Sequence, residues 1–384
     1  MKIRLHILTL LVVALPIIAA EDIVIEHPGE TSKLIPLSIA GYSGEVDKIL
    51  KFDLGIAGFD LVSEEKAQYN LAGSNAGPVE GRLTDRISKA SKLAKAYTGG
   101  SARTQAHALA DDVVQAVFGI PGIARTKIVF KRDLGATGEI YISDYDGFSS
   151  VAVTADKSIV AGPTWGPGRR MLYYTSYRAT YPDIYAHDLT TGERKTFARY
   201  PGSNMSPSVS RDGSRVAMIL SKDGSPDLYV ADASGSNLKQ LTKTRDGESS
   251  PTWSPDGTKI CYALDDARGL FIISSSGGAP RKLRTDGAGR PTEPDWSPDG
   301  KTIIFTSQSG SHFSLYTVPA DGSAAPTGPL VEEEDPSWAP NSRTVVFVRR
   351  VGGKRVLSLL DVPSKTVKVI PSSLGNCSQP CWSK

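Results

Sequence analysis

Residues 249–266 read SSPTWSPDGTKICYALDD. In Ser254-Pro255-Asp256-Gly257 the proline presets φ at the second turn position, the aspartate suits the third, and the glycine takes a conformation that a side chain resists. A short segment ending at Trp253 precedes this turn. After it Ile260, Tyr262 and Leu264 alternate with Cys261 and Ala263, which is the period of a strand. The unit is a β-hairpin.

The proline that opens the unit stands at Pro163, Pro207, Pro251, Pro294, Pro336 and Pro380, at intervals of 44, 44, 43, 42 and 44 residues. Two positions later come Trp165, Val209, Trp253, Trp296, Trp338 and Trp382, and Gly168, Gly213, Gly257 and Gly300 mark the following turn in four of the copies. A second series keeps the same period: Ile140-Tyr141, Ile184-Tyr185, Leu228-Tyr229, Leu270-Phe271, Leu315-Tyr316 and Val356-Leu357. Repeats of about 40 to 50 residues with several short strands each are the signature of a β-propeller. Six copies predict six blades over residues 124–384. Pro380-Cys381-Trp382 begins a further unit that stops at Lys384, whereas residues 126–132, 139–145 and 149–155 offer three strands with no first strand. The closing blade is therefore expected to take its inner strand from the last residues and three from upstream.

Residues 1–20 carry Lys2 and Arg4, then an apolar run ending at Ala19-Ala20, and read as a secretory signal; the other reading is a buried N-terminal strand or helix. No later stretch has the length and apolarity of a membrane span. Removing Lys2 and Arg4 lowers the formal charge from +3 to +1, a field that argues against nucleic acid. Residues 21–123 are expected to form a small α/β domain. Residues 33–38 and 59–63 are strand-like around a helical stretch 45–51, and 79–84 alternates. In 103–118, Ala106, Leu109, Val113, Val114 and Val117 share a helical face, which Gly119-Ile120-Pro121-Gly122 ends. The basic run 86–95 reads as a solvated face.

The cysteines are Cys261, Cys377 and Cys381. Cys261 reads as a small buried hydrophobe. Cys377 and Cys381 are the one close pair, and an exported chain permits a bridge, although residues four apart entering a strand diverge. His6, His27, His107, His187 and His312 are scattered, with no zinc spacing among them. No G-x-S-x-G elbow occurs, and Gly135-Ala136-Thr137-Gly138 lacks both a Walker lysine and a dinucleotide fingerprint. Neither a catalytic constellation, a cofactor nor a metal is expected. Glu332-Glu333-Glu334-Asp335 is either a solvated loop or a cation site.

The loops that enter the inner strands are expected to gather around one mouth of the channel. Their residues are Ser203, Asn204 and Ser206; Glu248, Ser249 and Ser250; Arg290, Thr292 and Glu293; Glu334 and Asp335; Ser378 and Gln379. Small, polar and mixed in charge, they suit a wet protein interface better than an apolar small-molecule pocket, the other reading being that they merely cap strands.

The passage Ala106-His107-Ala108-Leu109-Ala110-Asp111-Asp112-Val113, running on to Phe118-Gly119-Ile120-Pro121-Gly122 and then Ile142-Ser143-Asp144-Tyr145-Asp146-Gly147 ahead of the WSPDG ring, resembles the TolB family. WSPDG repeats alone occur in many propellers, including those of prolyl oligopeptidase-like enzymes. Their combination with this passage is specific, and the likeness covers nearly the whole mature chain. It implies a monomeric, periplasmic, non-catalytic adaptor of the Tol-Pal system, acting in envelope integrity and in outer-membrane invagination at division. The mouth residues would bind the peptidoglycan-associated lipoprotein Pal. Glu21, Asp22, Ile23, Val24, Ile25 and Glu26, in the segment 21–30, would contact the inner-membrane protein TolA; His27-Pro28-Gly29 departs from the family's pattern, and the first domain is short between Ser63 and Val79. The rival reading is a ligand-binding or hydrolase-associated exported propeller, marked by a pocket with convergent titratable groups.

Overall fold

The structure, a computed structural model, describes residues 34–265, 269–371 and 374–384. Residues 1–20, read as a secretory signal, and Glu21 to Glu26 lie outside the described residues. Six sheets follow one another round a ring. Blade 1 is built from Val160–Trp165, Met171–Ala179, Tyr181–Asp188 and Arg194–Ala198, named from the channel outward. Blades 2 and 3 start from inner strands Asn204–Val209 and Glu248–Trp253, and blade 5 from Glu334–Trp338, each with three further strands. Blade 4 has Arg290–Trp296, Thr302–Ser309 and His312–Pro319, with only a single bridge from Thr317 to Thr327 in the fourth place. In blade 6 the inner strand is Cys377–Trp382, which pairs with Lys127–Asp133 and through it with Gly138–Asp144 and Val151–Ala152. The ring closes as the repeat count requires.

The period-2 pattern of the second strands has a consequence beyond one buried face. Ile260 and Tyr262 pack with Ala217 and Ile219 of blade 2, while Cys261 and Ala263 pack with Trp296, Ile303 and Phe305 of blade 4. Alternate side chains thus go to opposite neighbours, and both sets are buried. Indole N–H groups add directional ties: Trp253 donates to the Ser208 carbonyl of blade 2 at 2.9 Å, and Trp165 to the Cys381 carbonyl of blade 6 at 3.0 Å. At the turn between the first two strands, Ser254 Oγ donates to Asp256 Oδ1 at 2.5 Å and accepts from Lys259 N at 2.9 Å, while Gly257 sits at φ 69°.

The N-terminal layer is a five-stranded sheet, in the order Phe59–Leu61, Ile35–Ala40, Tyr69–Ser74, Val79–Asp85, Ser91–Tyr97, with helices α1 (Gly44–Ile56) and α2 (Ala102–Phe118). Ser101 caps α2 by accepting from Thr104 N at 3.2 Å, and Gly119, at φ 68°, ends it. Two strands go beyond the sequence reading. Tyr69–Ser74 lies where the domain looks short, and Ser91–Tyr97 occupies the run read as a solvated face. The second is an edge strand whose lysines face water, so its pattern is that of an exposed loop. The core of this layer is continuous with blades 5 and 6, through Val346, Val348, Phe130, Ile370 and Trp382.

All three cysteines are free thiols. Cys377 and Cys381 lie on one strand, on either side of a register shift between Ser378 and Cys381.

Candidate functional site

In each inner strand the residue before the repeat proline is left-handed. The φ values are 54° at Gly162, 51° at Ser206, 50° at Ser250, 51° at Glu293, 59° at Asp335 and 49° at Gln379. Proline disfavours the right-handed helical region for its predecessor, and five of these six carry a side chain that resists φ above zero. Each coincides with a register shift, a bulge, in the pairing of inner and second strands. Six bulges in register are a repeated device, and backbone strain held at a rim is characteristic of functional positions.

These six residues and the prolines that follow them surround a mouth cavity of about 210 Å³. At the other end of the channel a cavity of about 140 Å³ is lined by Trp165, Trp253, Trp296, Arg211 and Lys384. There Lys384 Nζ lies 2.6 and 2.9 Å from the two carboxylate oxygens of Asp295, and Arg211 donates to the Pro298 carbonyl at 3.0 Å. The ring is strapped across at that end and open at the mouth.

The mouth carries one acidic pair. Asp335 N donates to Glu293 Oε2 at 3.2 Å, Thr306 Oγ1 donates to the same oxygen at 2.8 Å, and Asp335 Oδ2 accepts from Gln379 N at 2.9 Å. Burial and the adjacent Glu293 push the Asp335 carboxyl well above the usual carboxylate range. Gln379 Oε1 accepts from Gly162 N at 2.9 Å, which links blade 6 to blade 1. Glu334 pairs with Arg355 at 2.9 Å, and Arg290 with Asp265 at 2.9 Å. Among the described residues no group of three or more His, Cys, Asp or Glu side chains is placed to hold a metal ion.

Of the mouth residues expected from the sequence, Ser206, Ser250, Glu293, Asp335 and Gln379 meet at the cavity. Others do not face it. Asn204 is fully buried: it accepts from Tyr200 N at 2.8 Å and donates to the carbonyls of Tyr200 and Pro182 at 2.9 and 3.2 Å, so its amide closes its own loop. Glu248 is buried beside Thr244, and Ser378 is buried with its hydroxyl on Asp133. Neither Asn204 nor Glu248 is a surface residue, because each satisfies backbone or hydroxyl groups that the turn would leave unpaired. Ser203, Ser249, Arg290, Thr292 and Glu334 are only partly exposed and stand back from the cavity. Gly162, the sixth of the ring, was legible as the residue before Pro163.

A second polar cluster lies between the N-terminal layer and the ring. Asp53 of α1 meets His107 Nδ1 of α2 at 2.7 Å and accepts from the Tyr145 hydroxyl of blade 6. Asp146, beside Tyr145, lies 3.7 Å from His107 Nε2 and pairs with Arg103. Burial pulls the imidazole down, but the Asp53 hydrogen bond and charge, with Asp146, outweigh it and raise His107 above its ordinary value. His107 belongs to the passage AHALADD and Tyr145 and Asp146 to SDYDG, whereas Asp53 and Arg103 lie outside both.

Fold and mouth together define a six-bladed β-propeller with an N-terminal α/β layer and one open, polar end. The chain belongs to the TolB β-propeller family: the model of the TolB beta propeller domain matches residues 114–384. The Tol-Pal system protein TolB of Bordetella pertussis is 28% identical over 197 residues, covering 50% of this chain and 45% of that protein. The match thus spans less than half the length of this relative. The crystal structure of TolB from Acinetobacter baumannii superposes with a TM-score of 0.81 at 22% identity, covering 92% of this chain and 97% of that one. A putative TolB from Agrobacterium tumefaciens gives 0.51 at 20% identity, over 65% and 89%. At these identities the two structures speak for the fold.

Proposed function

We propose that the chain is an exported, non-catalytic adaptor of a Tol-Pal envelope system, with a leader over residues 1–20, an α/β domain over 21–123 and the ring over 124–384. It acts as a monomer in the periplasm, holding the outer-membrane lipoprotein Pal at the mouth and the inner-membrane protein TolA through the segment 21–30. The observation that carries the reading is the ring of six left-handed residues at one end of a propeller of the TolB family. A rim that repeats the same bulge six times, with polar and partly exposed side chains, offers main-chain and hydroxyl partners to a protein surface. Among the described residues no helix is long and apolar enough to cross a membrane.

The test is titration of the mature chain with the soluble domains of Pal-like and TolA-like proteins. Both are expected to bind. Replacing Ile23 and Ile25 by aspartate is expected to abolish TolA binding, because an extended segment fills one-face pockets with alternate side chains, and to leave the lipoprotein bound. Failure of the unaltered chain to bind the lipoprotein would overturn the reading.

A further inference from the structure

The mouth face is not uniform round the ring. Besides the strand entries it is formed by the hairpins that join second and third strands. In blade 2 this hairpin is residues 221–226, SKDGSP, and in blade 4 it is Gly310 and Ser311. In blades 5, 6 and 1 the hairpins expose apolar side chains: Val351 at 44%, Leu134 at 47% and Tyr181 at 70%. Ile159, at the entry to the inner strand of blade 1, adds another at 46%. Three of these share one hydrogen-bonded run. Leu134 N donates to Thr137 O at 2.9 Å, Gly138 N to Ser158 O at 3.0 Å, Tyr177 N to Ile159 O at 2.9 Å and Thr180 N to Tyr177 O at 3.0 Å. Thr180, next to Tyr181, is β-branched and held at φ 80°, a conformation such residues resist.

The charges of this sector are unequal. Its carboxylates are already engaged: Asp133 by Lys131 at 2.8 Å, Asp156 by Arg194 at 2.6 Å, Glu333 by Arg349 at 3.8 Å and Glu334 by Arg355 at 2.9 Å. Lys157, Arg178, Arg350 and Lys354 are exposed around the apolar tips, and Glu332 is the exposed carboxylate at the border with blade 4. Lys243 and Arg245, before blade 3, are exposed as well but have no exposed large apolar neighbour on the hairpin of blade 2.

We infer that the sector formed by blades 5, 6 and 1 anchors the partner, and that the partner is a protein surface with apolar side chains bordered by carboxylates. This rests on the reading that a lipoprotein docks at the mouth. Aromatic anchors such as Tyr181 dominate such contacts, and apolar neighbours exclude water around them. Flanking cations set orientation and association rate, while the polar hairpins of blades 2 and 4 meet the partner through water.

The experiment titrates the mature chain with the soluble domain of a Pal-like lipoprotein. Tyr181→Ser with Leu134→Ser is expected to weaken binding by about 30-fold or more, and Lys222→Ser with Asp223→Ser on the polar half by less than about 3-fold. Lys157→Ser with Lys354→Ser leaves every apolar contact in place, and is expected to cost about 3- to 10-fold and to flatten the salt dependence. Equal losses from both halves, or none from the apolar variant while the unaltered chain binds, would overturn the sector and leave the mouth reading intact. No binding by the unaltered chain would overturn both. If the apolar variant instead loses sedimentation with phosphatidylglycerol vesicles and keeps the lipoprotein, the surface is a lipid one and the inference fails.

Discussion

Glu248 sits buried at the start of the inner strand of blade 3, with Thr244 Oγ1 donating to Oε1 at 3.1 Å. Burial, with the charge of Asp227 adding to it, pushes its carboxyl from 4.5 up to about 7. A carboxyl whose pKa rises on folding resists ionisation in the native state. The stability it contributes is whole below 4.5, falls as pH climbs to about 7 and stays lost above that. Glu248→Gln is therefore expected to be more stable than the parent at pH 8 by about 1–2 kcal/mol, and to lose this advantage near pH 4. Urea unfolding midpoints at the two pH values check it, and a constant difference between the proteins would contradict it. At this scale the sequence is least informative. Asn204, Ser206, Glu248 and Ser250 are four polar residues in equivalent loops, yet two line the mouth and two staple their own turns. Which way a polar side chain faces depends on backbone groups that the bulge leaves unpaired, and composition carries no trace of them.

Between elements, the contact of α1 and α2 with the ring combines a shared apolar core with the buried cluster of Asp53, Arg103, His107, Tyr145 and Asp146. His107 stands above its ordinary value of 6.5, so its contribution is complete below that value and is lost as pH rises through the higher folded value. The Asp53 carboxyl, raised by burial, shifts stability in the same direction. Above pH 6.5 the helices are expected to lose hydrogen-exchange protection faster than the blades, once intrinsic exchange is corrected for pH. In His107→Gln protection of the helices is expected to be lower throughout and to keep only the part of this dependence that Asp53 contributes. Parallel change in helices and blades would show that the cluster does not hold the two together. The helices themselves were legible, α2 from its apolar stripe and its glycine stop, because a 3.6-residue period leaves a mark on composition. The edge strand Ser91–Tyr97 was not, since one exposed face and one neighbour place few demands on its residues. Nor was the burial of both faces of the second strands, such as Lys259–Leu264, because alternation names two faces without naming what covers the second.

Across the whole molecule the ring was the most legible feature, since a period kept by two independent series of residues leaves few architectures. Its closure followed from the surplus of one inner strand at the end and three outer ones upstream, and the strand Cys377–Trp382 fills that gap. The strapped end, where Lys384 reaches Asp295 and Arg211 reaches Pro298, could not be read from the repeat, because both contacts cross the channel between blades far apart in the chain. The proposed function places the lipoprotein at the open end of this ring, so obstruction of the mouth is the test. Ser206 and Ser250 already hold the left-handed backbone, so arginine at both adds length and charge over the cavity without a new backbone demand. Calorimetric titration of Ser206→Arg with Ser250→Arg against the Pal-like soluble domain is expected to show binding weakened by about 100-fold or more, with the thermal transition unchanged. Affinity equal to that of the parent, in a protein that melts at the same temperature, would contradict the account and place the docking surface elsewhere.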